Sequence, residues 1–365
     1  MRSRKAWVCV LKVGLFALCV GAQSGAELAL PGYHFVFPRD YFARTEYETE
    51  WWYYTGNLRA DDGHSFGFEL TFFRAANPKA ASARDISPAW RADQIYLAHF
   101  ALSDVTGQQF YHTERMNRAG PGLAGSSLDQ QRIWNGNWQV RWVSFATDEQ
   151  ELEAVTETAH LKLVLKPEKP MVINGKDGVS QKGPLRGQAS HYFSFTRMSA
   201  RGTLENNGHK YRVNGLTWMD REFFSSVPGE APLSWDWLYV QLANKEELML
   251  YRLRDKSGAI TPFSSGTFID AKGHSRFLSH SDFELEPLSY WSSASSGRRY
   301  PLEWQIHVPS LQLTLHLDTQ LHDQEMLSAT KVTRDYWEGA VRFSGTEAGA
   351  SISGEGYLEL TGYEK

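Results

Sequence analysis

The segment Trp218-Met219-Asp220-Arg221-Glu222-Phe223 sets two carboxylates at alternate positions beside a tryptophan. In a β-strand alternate residues point to one face, so Trp218, Asp220 and Glu222 would line the same surface. Such a surface has the ingredients for protonating an isolated alkene. A carboxyl group in an apolar pocket keeps its proton near neutral pH, because desolvation disfavours the charged form. Aromatic faces then stabilise the resulting cation by ~2 kcal/mol each once water is excluded. Asp220 is the candidate acid, and Glu222 its partner, holding the proton or positioning water. This face is expected to point into a β-barrel. The competing reading is structural, with the carboxylates paired to Arg74, Arg221 or Arg252 at a domain junction.

Trp235 and Trp237 share one face of the next candidate strand and extend the aromatic surface. Glu50 precedes Trp51 and Trp52; it faces a ligand cavity or satisfies buried donors at a barrel end. Only one of the two adjacent tryptophans can face inward, and Trp51 is the candidate ligand contact. His191 and Tyr192 are further candidates, but neighbours on a strand cannot serve one pocket, and a lone His there reads equally well as core. Trp337-Glu338 is either a ligand contact or a support for the fold near a barrel mouth. No His pair has HxH or HExxH spacing, so no metal is expected. Neither a Gly-rich phosphate loop nor a GxSxG elbow occurs, and no cofactor is expected. Paired carboxylates with tryptophans also suit a glycosidase, but tryptophan packs β cores as readily.

The elements that must position these groups are strands. Leu161, Leu163 and Leu165, and again Leu311, Leu313, Leu315 and Leu317, alternate along the chain, the period of a half-buried strand. Aromatic residues make up 13% of the sequence, which favours strands and cavity linings. Turn signals separate the runs at Asp61-Asp62-Gly63, Asn206-Asn207-Gly208, Lys256-Ser257-Gly258 and Ala271-Lys272-Gly273. Short helices are expected only at Arg44–Thr49 and Asp85–Asp93. An all-β fold of antiparallel sheets follows. Placing Trp51 on Trp235 also places Leu58 on Leu242, a weak internal repeat that suggests two similar β units. A chain of 365 residues suits two domains. The Pro/Gly-rich stretch Val227–Pro232 marks the expected boundary, giving domains 27–228 and 229–365. Asn174–Gly187 reads as a long surface loop.

Arg2, Arg4 and Lys5, an apolar run and the small residues before Ala22 and Ala26 read as a secretory signal peptide over residues 1–26. Cys9 and Cys19, the only cysteines, fall inside it, so the mature chain would carry no disulfide. Its removal takes four cations and no acid, lowering the net charge from -4 to -8. An acidic surface argues against nucleic acid as a partner. The expected location is periplasmic or secreted, with peripheral membrane contact left open.

Several stretches resemble one family, the carotenoid hydratase (hydroxyneurosporene synthase)/AttH-like proteins. They are Glu50–Leu58, Phe66–Arg74, Ser190–Ser194, Gly215–Phe223, Trp235–Trp237, Leu248–Arg254, Tyr336–Val341 and Gly356–Tyr363, in order over nearly the whole mature chain. The resemblance implies two tandem lipocalin-like barrels. It also implies a hydrophobic polyene- or terpenoid-like ligand, with hydration of an alkene as the family's characterised chemistry. Association with an ABC export system, as a non-catalytic carrier, is the alternative it implies.

Overall fold

The computed structural model describes residues 25–77, 92–227, 234–328 and 333–364. The expected leader, the Asp85–Asp93 helix apart from its last two residues, and most of the expected boundary segment lie outside these. The first half of the chain forms β1 (Thr49–Ala60), β2 (Ser65–Ala76), β3 (Gln94–Asp104), β4 (Gln109–Arg118), β5 (Ala124–Ser127), β6 (Arg132–Asn135), β7 (Trp138–Ser144), β8 (Glu149–Val155) and β9 (Ala159–Pro167). The short β10 (Val172–Ile173) and β11 (Ser180–Gln181) precede the long hairpin of β12 (Ala189–Asn206) and β13 (His209–Phe224). The second half forms β14 (Ser234–Leu242), β15 (Glu247–Arg254), β16 (Ser265–Ile269), β17 (Ser275–Ser279), β18 (Glu284–Ser292), β19 (Arg299–Val308), β20 (Leu313–Asp318), β21 (Glu325–Met326), β22 (Tyr336–Glu347) and β23 (Ala350–Leu360). All strand pairs are antiparallel. The protein is all-β, with two lipocalin-like barrels, the first nearly closed and the second a half-barrel.

The two sheets share one plan. The first runs β4-β3-β2-β1-β13-β12-β9-β8-β7-β6-β5, the second β17-β16-β15-β14-β23-β22-β20-β19-β18. In each, the opening strand lies between its hairpin partner and the last strand of the sheet. Trp51 and Trp235 therefore occupy equivalent strands, as the internal repeat suggested. Side chains close the first barrel where the backbone ladder stops. Asn117 Nδ2 of β4 donates to Asn135 Oδ1 of β6 at 2.6 Å, and Arg115 stacks 4.0 Å over Trp138. The Arg44–Thr49 segment is a turn and a bend leading into β1 rather than a helix; a 3-10 turn spans Arg39–Tyr41 instead. Glu50 pulls the Arg44 amide onto its carboxylate, and that contact holds this stretch open.

Each barrel encloses its own apolar core. Trp52, Tyr54, Phe68, Leu70, Phe193 and Met219 belong to the first, and Leu238, Leu250, Trp304, Trp337 and Leu358 to the second. A third cluster lies between the barrels, with Tyr53, Tyr192 and Trp218 against Trp237, Tyr239, Tyr251 and Tyr357. The contact is close at Gly67, where an added Cβ would sit 2.6 Å from the Ala340 Cβ. Gly67→Ala is therefore expected to pry this corner apart and cost about 1–3 kcal/mol, measured by urea unfolding.

Candidate functional site

β13 is the centre of the seam between the barrels. Its register sets Asp220 between Tyr53 of β1 and Ser194 of β12, and Glu222 between Trp51 and Tyr192. Trp218, Asp220 and Glu222 do share a face. That face points out of the first barrel rather than into it, because Trp52, Tyr54, Phe193 and Met219 already fill the interior. It meets the aromatic face of β14 instead, with Tyr53 edge-on to Trp237 at 5.2 Å and Trp218 stacked on Tyr239 at 4.6 Å. The seam opens to solvent where Trp51, Phe73, Trp235 and Glu359 are each partly exposed.

Asp220 is buried and has no arginine partner among the described residues. Oδ1 accepts from Ser194 Oγ at 2.5 Å and from the Trp218 indole at 2.6 Å, while Oδ2 accepts from the Tyr192 hydroxyl at 2.6 Å. Burial pushes its pKa up to about 7, against the pull of those three donors. The ion-pair reading fails for Asp220. Arg221 points to the opposite face and pairs with Glu50, Arg74 pairs with Glu50 too, and Arg252 pairs with Asp236. Glu222 is paired, but with Lys182 at 3.2 Å, and its Oε1 also accepts from Ser190 Oγ at 2.5 Å. Its Oε2 takes no hydrogen bond from the described residues.

More carboxyls gather behind this pair. Tyr53 donates to Glu338 Oε1 at 2.5 Å. Burial, with Glu359 and Glu69 nearby, pushes Glu338 well above the ordinary carboxylate range. Burial likewise raises Glu359 to about 7 and Glu69 to about 8. Neither Glu69 oxygen is hydrogen-bonded at ordinary geometry. These acids bind more protons folded than unfolded between their unfolded and folded pKa values. The contributions of Glu359 and Glu69 to stability should therefore fall as pH rises from about 4.5 to about 8 and level off above. A melting temperature that falls more across this window in wild type than in Glu69→Gln is the expected result by calorimetry.

The other candidates divide between the seam and the cores. Tyr192, Trp51, Trp235, Trp237 and Glu338 reach the seam or its open end. Trp218 lies in the seam but is fully buried, and its indole serves Asp220. Glu50 does not join them. It faces the first barrel's end, where the Arg44 amide, Arg74 and Arg221 consume both oxygens. His191 lies on the face opposite Tyr192, stacked 4.0 Å from Tyr33, its Nδ1 2.8 Å from the Gly178 carbonyl. Trp337 is inside the second barrel, its indole on the His322 carbonyl. Asn174–Gly187 is not merely a surface loop. β10 and β11 pair along β12 and carry Asn174 and Lys182 into the seam. Lys182, Asn174, Glu69 and Glu359 were not singled out in the sequence. Tyr53 stood in the Glu50–Leu58 run with no role attached.

Two barrels joined across a buried, acid-rich aromatic seam define a lipocalin-like protein built by pairing similar sheets. The chain belongs to the AttH-like family, whose model matches residues 28–363. The crystal structure of an AttH protein from Nitrosomonas europaea is 30% identical, covers 93% of this chain and 100% of its own, and superposes with a TM-score of 0.82. Kievitone hydratase from Nectria haematococca is 16% identical, with coverage of 92% and 96% and a TM-score of 0.69. CghA is 13% identical, with coverage of 86% and 88% and a TM-score of 0.51. At these identities the last two establish shared fold alone. No curated protein matches the sequence.

Proposed function

We propose that the seam binds a hydrophobic, unsaturated small molecule and hydrates or isomerises it, with Asp220 as the acid. The observation that carries this reading is a buried carboxyl, held near pKa 7 and ion-paired to none of the described residues, among Tyr53, Tyr192 and Trp237. The proton of Asp220 passes to one alkene carbon, and the π electrons form the new C–H bond. The adjacent carbon becomes a cation facing aromatic rings. Water held at Glu222 Oε2 adds to it, the C–O bond forms, and Glu222 takes the proton released. Lys182, 3.2 Å from Glu222 Oε1, holds that carboxyl in place for the step. Loss of a proton from the neighbouring carbon to the Asp220 carboxylate, in place of water addition, gives the isomer and restores the acid. The protein acts outside the cytoplasm after its leader is removed, on a ligand drawn from the envelope.

Native mass spectrometry of the protein purified from its own source, followed by extraction of the bound molecule, tests this. Wild type should release a hydrated or isomerised compound, and Asp220→Asn its unsaturated precursor. One and the same unaltered lipid in both would make the protein a carrier.

A further inference from the structure

Building on Asp220 as the acid, we infer that the second barrel decides which oxygen of that acid carries the proton, through Thr267 and Asn174 as positioning residues. The chain of contacts is continuous. Thr267 Oγ1, on β16 of the second barrel, donates to Asn174 Oδ1 at 2.8 Å; Asn174 Nδ2 donates to Ser194 Oγ at 2.8 Å; Ser194 Oγ donates to Asp220 Oδ1 at 2.5 Å. All four side chains are buried.

The direction of this chain follows from its chemistry. Thr267 points its proton at the Asn174 carbonyl, which turns the amide nitrogen toward Ser194. An amide nitrogen only donates, so Ser194 accepts from it and directs its own proton at Asp220. The Trp218 indole, also a donor only, meets the same oxygen. Oδ1 is thus an obligatory acceptor. The proton of the neutral acid sits on Oδ2, where the Tyr192 hydroxyl can reverse to receive or return it. Among the described residues, the other ionisable groups around Asp220 are Glu222 on its own strand, Tyr53 on β1, Tyr192 on β12, Tyr239 on β14 and Glu359 on β23, with Lys182 beyond β11 paired to Glu222. None of these sits on the Thr267–Asn174–Ser194 line. The acid is complete only when the second barrel is docked.

The test reads Asp220 directly, by carbon-13 NMR of aspartate carboxyls in the full chain, with Asp220→Asn assigning the resonance. Wild type should titrate near neutral pH. Thr267→Val removes the donor that orients Asn174, weakens the Ser194 bond to the carboxylate and should raise the midpoint by about one pH unit; Thr267→Ser should restore it. An unchanged midpoint in a folded Thr267→Val protein would overturn the inference while leaving the acid in place. A wild-type midpoint near that of an ordinary aspartate would overturn the acid itself. If Thr267→Val does not fold, Asn174→Ala carries the same expectation.

Discussion

Glu50→Gln should destabilise the chain by about 3–5 kcal/mol. The carboxylate is fully buried and ion-paired to both Arg74 and Arg221, which are themselves fully buried. Neutralising it leaves two guanidinium groups in a low-dielectric site with only neutral groups for company among the described residues. Those are the Gln94 side chain and the Tyr47 and Arg44 carbonyls for Arg74, and the Phe42 and Glu222 carbonyls and the Trp52 and Phe223 rings for Arg221. The damage should reach the seam as well. Arg221 lies between Asp220 and Glu222 on β13, so its anchorage fixes the backbone that presents both. Chemical denaturation at neutral pH measures the loss. A change under 1 kcal/mol would mean that the arginines find other partners or release their charge to water.

Asp220→Asn should do the reverse. Conversion of the ligand is expected to fall at least about 100-fold, since the amide has no acidic proton to give. Stability at pH 8 should hold or rise. An asparagine can keep its oxygen toward Ser194 and Trp218 and turn its amide nitrogen to the Tyr192 oxygen, reproducing the hydrogen bonds of the neutral acid without its tendency to ionise. A thermal melt beside a turnover assay separates the two effects. Lower stability at pH 8 would show that Asp220 is needed as a charged structural group.

The strands and the sharing of a face by Trp218, Asp220 and Glu222 were legible because both follow from a period of two. Which way that face points was not. From Thr217 to Phe224, and from Ala189 to Met198, every residue is buried, so the alternation that distinguishes core from solvent is missing. A strand covered on both faces reads as a continuous run. Lys182 and Asn174 were hidden for the opposite reason. They lie in a Gly- and Lys-rich stretch whose composition suggests solvent, and long-range partners turn it inward: Ser194 and Glu222 of the first barrel, Tyr251 and Thr267 of the second. Glu50 meets Arg74 and Arg221 across 24 and 171 residues of chain, a pairing that strand register creates. The kinship of the two sheets was visible in outline, as Trp51 and Trp235 begin equivalent strands.

The most direct test of a seam-bound ligand meeting Asp220 is a crystal structure of the Asp220→Asn protein carrying its co-purified molecule. The expected result is an apolar, unsaturated ligand between the barrels, in contact with Tyr53 and Trp237, with an alkene carbon about 3.5 Å from the residue 220 amide. A ligand seated inside the first barrel among Trp52 and Phe193, or one whose unsaturated carbons lie away from residue 220, would contradict it.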